Sequence, residues 1–134
     1  MGGKLIADII TEDLEKAKGF KFLLQPMNAQ AELRETLIKN GFKITKEELS
    51  CEGFKVYNVF LCEEGAGELP ERVRLHIPKE LEDHPLYSML TDKKIREFKK
   101  IINGLENAKN PDWEIIEEHK KLLAEFEKIK EGIK

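Results

Sequence analysis

Two stretches of the sequence carry side chains able to do more than fill a core. The first is Gln25-Pro26-Met27-Asn28, which follows the apolar run FKFLL at residues 20 to 24. Proline cannot donate to a sheet ladder, so a strand over 20 to 24 stops there and leaves a polar tetrad at its carboxyl end. Carboxyl ends of strands are where α/β sheets place their ligands, and the Gln25 carboxamide offers both a donor and an acceptor. The plainer reading is that Gln25-Pro26 turns the chain while Asn28 caps the next helix. The second stretch is KKIREFKK, residues 93 to 100, which sets Lys93, Lys94, Arg96, Lys99 and Lys100 against one acid, Glu97. Such a helix face can neutralise phosphates, with affinity that falls steeply as salt rises. It can equally be a solvated face.

Other candidates are weaker. Trp113 and Tyr87 have rings able to stack, but a first helical turn and a domain junction are ordinary packing sites, and packing is the expectation for both. His119 falls on an apolar stripe and reads as a packed histidine. His76, His84, Cys51 and Cys62 are too scattered to form a metal set, so no metal is expected. If residues 52 and 53 turn a hairpin, Cys51 and Cys62 stand on the order of 20 Å apart at strand rise, beyond disulfide reach.

The elements that must hold these side chains follow from periodicity. The 134 residues suit one ordinary domain's worth of core. Forty per cent are apolar and 37% charged, which points to long solvated helices. A net charge of −3 gives no global basic field, so any polyanion must be met by a local patch. No run reaches the roughly 20 apolar residues of a membrane helix, the start lacks signal-peptide grammar, and a cytoplasmic protein with no membrane contact is expected.

Leu5, Ile6, Ile9, Ile10, Leu14 and Ala17 predict a helix over 4 to 18, then a strand over 20 to 24. Leu33, Leu37 and Ile38 predict a helix stopped by Asn40-Gly41. A hairpin of strands 42 to 51 and 55 to 63 comes next. The inward phase switches between Phe42/Ile44 and Leu49/Cys51, so a bulge or loop is expected near residues 45 to 48. Residues 56 to 62 are apolar on both phases except Asn58, which suits a strand covered on both faces. Beyond the break at residues 63 to 73 the period is helical. Ile95, Phe98, Ile101, Ile102 and Leu105 form one stripe. A second helix begins at Asn110-Pro111, and Ile115, Leu122 and Ile129 repeat at seven along it. These two should pair antiparallel.

The order helix, strand, helix, hairpin, helical pair, together with Met1-Gly2-Gly3, LLQPMNAQAELRETLIKNGFKI and EGFKVYNVFLCEEG, resembles the C-terminal half of the bacterial tRNA (adenine-22-N1)-methyltransferases. The resemblance implies a partial Rossmann-like α/β sheet over residues 1–65, a connecting segment 66–91, and an antiparallel helical hairpin, coiled-coil-like, over 92–134. Gly2 and Gly3 correspond to the tail of the family's fourth-strand glycine motif, with Met1 at its internal methionine. Gln25 and Pro26 correspond to its LQP segment, Leu33, Arg34 and Leu37 to the following helix, and Tyr57 and Val59 to the hairpin. Some relatives place Asn directly after the proline; here Met27 intervenes before Asn28.

By that resemblance Gly2, Gly3, Gln25, Pro26 and Asn28 would contact the target base, and Lys93, Lys94, Arg96, Lys99 and Lys100 the tRNA backbone. S-adenosylmethionine would be the methyl donor. The family builds that cofactor's site from a first strand, its glycine-rich turn and an acid on the second strand, none of which these residues encode. A chain that is catalytically silent alone, binding tRNA, is therefore expected. It would work with a complementary N-terminal half, or remain as an interaction or oligomerisation module. A bare apolar strand at 20 to 24 further predicts a homodimer.

Overall fold

Ile6, Ala7 and Ile10 recur at helical spacing, and α1 (Gly3–Glu12) buries that face in the computed structural model, which describes residues 2 to 133. The expectation attached to Met1 lies outside the described residues. The predicted helix over 4 to 18 divides in two. Asp13 leaves helical geometry at φ −140° and its carboxylate accepts from the Lys16 backbone N–H at 3.3 Å, starting α2 (Leu14–Ala17). A side chain that caps a new helix competes with continuing the old one. Two compact units result, Met1–His84 and Pro85–Lys134.

In the first unit β1 (Phe22–Leu24) is shorter than the apolar run suggested, and α3 (Gln30–Lys39) follows it. Gly41, at φ 84°, ends α3 as expected. Then β2 (Phe42–Glu52) and β3 (Lys55–Glu64) form the hairpin. Glu52 pairs with Lys55, so only Gly53 and Phe54 make the turn. Gly53 has φ 62° and Phe54 does not share the positive sign, which is the II′ pattern. The expected bulge falls between Ile44 and Lys46, where Thr45 Oγ1 donates to the Leu61 carbonyl at 3.1 Å.

The sheet order is β1-β3-β2, with every neighbouring pair antiparallel. β1 and β2 thus point the same way with β3 between them, and α3 crosses over one face. Ile6, Ile10, Leu33, Leu37, Phe42, Phe60 and Cys62 build the core on that face, with Phe22, Leu24 and Ile44 against them. The opposite face is only partly covered, contrary to the two-sided burial expected of β3. Tyr57, Val59 and Leu61 are half-buried there and Leu23 is 74% exposed. The outer edge of β1 has no partner strand among the described residues. Further along, α4 (Arg72–His76) packs on α3, and a 3-10 turn (Lys79–Leu81) packs on β2.

The second unit is a helical hairpin of α5 (Tyr87–Glu106) and α6 (Trp113–Glu131). Asp92, Phe98 and Glu106 meet Lys130, Phe126 and Lys120, so the two helices run antiparallel, as predicted. The buried stripe of α5 is Leu90, Thr91, Lys94, Phe98 and Ile102; Ile101 is 43% exposed and lies off it. Ile115, on the seven-residue repeat of α6, is 40% exposed, whereas its expected stripe neighbours Ile116 and Phe126 are buried. The start of α6 is also two residues later than Pro111 suggested. Asp112 Oδ1 accepts from the Glu114 and Ile115 N–H groups, a stronger start signal than proline because it satisfies two orphan donors. No helix among the described residues is long and apolar enough to cross a membrane.

Candidate functional site

At the carboxyl end of β1 the structure brings together the five residues singled out near the start of the chain. The Gly3 N–H donates to the Asn28 carbonyl at 3.0 Å and to Asn28 Oδ1 at 3.2 Å. The first turn of α1 therefore rests on the loop that leaves β1. That contact demands glycine: a Cβ on Gly3 would stand 2.5 Å from the Asn28 carbonyl oxygen and 2.6 Å from that of Ala29. A Cβ on Gly2 would stand 2.8 Å from Asn28 Oδ1. Asn28 was expected to cap α3, and it does not. The N-cap is Ala29, held at φ 52° and ψ 38° with no side-chain cap, while the Asn28 oxygen serves Gly3. A left-handed alanine is uncommon and costs of order a kilocalorie per mole or more, so the surrounding bonds must hold it. Pro26 is buried; Gln25 is exposed, and its carboxamide has no partner among the described residues.

Beneath this loop lies a buried polar cluster. Gln30 Nε2 donates to the Pro26 carbonyl at 3.3 Å, and Gln30 is 3% exposed. One turn on, Arg34 is equally buried. Its Nε donates to Glu47 Oε1 at 3.0 Å, Nη2 donates to Glu47 Oε2, and Nη1 donates to the Leu75 carbonyl. The guanidinium also stands 4.6 Å from the centre of the Phe60 ring. Asn58 Nδ2 completes the set by donating to Glu47 Oε2 at 2.8 Å. A buried charge is tolerated only when paired and hydrogen-bonded, and this fork satisfies both partners. Arg34 entered the sequence reading only as a motif match, and Gln30 and Glu47 were missed. A signal existed: with the bulge at Thr45, residue 47 falls in the inward phase of β2, and an inward carboxylate demands a buried cation.

The basic stretch divides. Arg96, Lys99 and Lys100 are exposed on α5 and Lys93 is half-exposed. The Lys94 side chain is only 4% exposed and reaches Glu97 at 3.5 Å, so it does not share their surface. Tyr87 is buried, as expected. Trp113 is not: it is 58% exposed. His119 packs as predicted, its ring 5.4 Å from Phe98 and Nδ1 2.8 Å from the Ile115 carbonyl oxygen. Cys62 is buried and its thiol is pushed up to about 11 by that burial, while Cys51 is exposed. No group of three or more histidine, cysteine or acidic side chains able to hold a metal occurs among the described residues.

The family model of TrmK, tRNA (adenine(22)-N(1))-methyltransferase, matches residues 1–131. Three solved structures place the same α/β Rossmann-like arrangement in longer chains. A protein of the NADB-Rossmann superfamily from Streptococcus agalactiae is 24% identical with TM-score 0.79, over 97% of this chain and 56% of that one. Streptococcus pneumoniae Sp1610 in complex with S-adenosyl-L-methionine is 26% identical with TM-score 0.72, over 94% and 56%. The B. subtilis M1A22 tRNA methyltransferase TrmK is 21% identical with TM-score 0.66, over 98% and 57%. The chain thus spans a little over half the length of each. No curated protein matches the sequence. From the family match along nearly its whole length, the chain belongs to the tRNA (adenine(22)-N(1))-methyltransferase family.

Proposed function

We propose that this chain positions the target base and the tRNA in an S-adenosylmethionine-dependent tRNA adenine-N1 methyltransferase, and that these residues alone are catalytically silent. Neutral adenine already carries a lone pair at N1, so little acid–base help is needed. The base must be drawn from its stack and its Watson–Crick edge held in line with the donated methyl group. The observation that carries the reading is Gln25: an exposed carboxamide with no partner among the described residues, at the carboxyl end of β1, on a loop held by Gly3 from one side and Gln30 from the other.

S-adenosylmethionine would supply the methyl group. The residues here do not fit its site. The β1-to-α3 turn, residues 25 to 29, contains no glycine, and Pro26 removes one N–H from it. It cannot cradle a nucleotide cofactor as a glycine-rich turn does, and we read it as facing the base. Lys93, Arg96, Lys99 and Lys100 are the residues we assign to phosphate contact in a cytoplasmic protein, within a helical pair of coiled-coil type. The half-covered face bearing Leu23, Val59 and Leu61, and the open edge of β1, suit a complementary N-terminal portion of the fold.

Titration of the chain with tRNA and with S-adenosylmethionine tests this. Salt-sensitive tRNA binding, weakened when Lys99 and Lys100 are reversed to Glu, is expected; micromolar binding of the cofactor contradicts the division of labour. A second reading, an oligomerisation module, is favoured by one observation: the outer edge of β1 is open among the described residues, and Leu23 on that strand is 74% exposed. Sedimentation at micromolar concentration decides it. A homodimer supports this reading, and a monomer with slow amide exchange over residues 22 to 24 excludes edge pairing.

A further inference from the structure

The β2–β3 hairpin is longer than the sheet that carries it. β1 ends with Leu24 opposite Phe60, whereas β3 begins at Lys55, so residues 55 to 59 run on past the end of β1. At strand rise this overhang is about 16 Å. It projects from the carboxyl end of β1, the same end as Gln25 and Pro26. At its tip stands Phe54, 94% exposed. Pairing continues to Glu52 and Lys55, and Gly53 at φ 62° fixes the turn, so the ring sits on a rigid arm.

We infer that Phe54 is a stacking contact for an unpaired nucleobase of the RNA substrate, about the arm's length from the target nucleotide. This deepens the proposed function and rests on it. Size decides between nucleic acid and protein as the partner. Ser50, Cys51, Glu52, Gly53 and Lys55 around the ring are exposed, and all but Cys51 are polar or glycine, so no apolar patch adjoins it. A stable protein interface needs about 800 Å² per partner, which one phenyl ring cannot supply. One base face matches one ring, and such stacking tolerates any base. Glu52 and Lys55 offset each other, so the tip does not repel phosphate.

The test uses the full chain. Phe54→Ala should weaken tRNA binding about 5- to 150-fold at low salt while leaving the salt slope unchanged, since no phosphate contact is lost. Circular dichroism and melting should be unaltered. Trp113 is the chain's single tryptophan. Phe54→Trp in a Trp113→Phe background therefore places the one indole at the tip, where tRNA should quench its emission and inorganic polyphosphate should not. Unchanged affinity of Phe54→Ala together with weakening by Lys99→Glu overturns the stacking and leaves tRNA binding intact. Unquenched emission at tRNA saturation overturns it as well. A changed sedimentation coefficient with unchanged tRNA affinity would make the tip a self-contact, also against the inference. No tRNA binding by the native chain removes this inference and the proposed function together.

Discussion

Replacing Gly3 by alanine tests the junction on which the candidate site is built. The new Cβ would lie 2.5 Å and 2.6 Å from two carbonyl oxygens and 3.0 Å from the Ala29 carbonyl carbon. All three are backbone atoms, so no rotamer relieves the contact. Restoring ordinary separation requires the loop and α1 to part by nearly an ångström, and overpacking of this kind costs about 1–3 kcal/mol. The parting also weakens the Gly3 bond to Asn28, worth about 1 kcal/mol. Alanine recovers up to about 1 kcal/mol over glycine in a helix, less at a first helical residue. The net expectation is a loss of roughly 1–3 kcal/mol. Gly104 is the control: nothing lies within 4 Å of its Cβ position, in the last turn of α5, and Gly104→Ala should gain about 0.4–1 kcal/mol. The two positions lie in separate units, so a single melt would mix them; amide exchange resolved over α1–α3 and over α5 keeps them apart. Unchanged protection of α3 in Gly3→Ala, or both substitutions shifting protection the same way, would refute the close-approach argument.

Three further outcomes are expected. Arg34→Met strands the Glu47 carboxylate in the interior and should cost about 3–5 kcal/mol in urea unfolding, most of it recovered by adding Glu47→Leu; a silent single mutant would show the pair to be solvated. Cys62 holds its thiol at about 11 when folded against 9.0 ordinarily, so its neutral form favours the fold fully below pH 9. That contribution, about 2–3 kcal/mol, is lost between about pH 9 and pH 11, and Cys62→Val should flatten the unfolding profile there; an unchanged slope contradicts it. Lys94→Glu should lower stability, and Lys99→Glu should leave stability alone and lower only tRNA affinity, as unfolding and gel-shift measurements on the same two variants will show.

What the sequence revealed was periodic or chemically forced. Pro26, Gly41 and Gly53 each impose a local geometry, and the phase switch around Thr45 discloses the bulge. Asn28 and Asp112 show the limit. Both are good capping residues, yet one bonds Gly3 across 25 residues and the other takes the helix start from Pro111. Which donors a side-chain oxygen serves depends on tertiary neighbours, not on its own position. The basic stretch failed at Lys94 for a related reason. Charge counts along KKIREFKK carry no rotation angle, and the buried stripe of α5 passes through residues 94, 98 and 102. The inward phase of residue 47 signals a buried carboxylate, but its partners Arg34 and Asn58 come from two other elements and only the packed fold brings them to it.

We propose that this chain serves N1-methylation of adenine 22 in tRNA, the position named in the description of its family. N1-methyladenine cannot pair, and reverse transcriptase stops at it. The coding sequence of the chain should therefore be disrupted in its own source cell and primer extension run across position 22 of the tRNAs that carry an adenine there. The stop should disappear, and it should return with the intact chain but be reduced with Gln25→Ala. A stop of undiminished strength after disruption would contradict it.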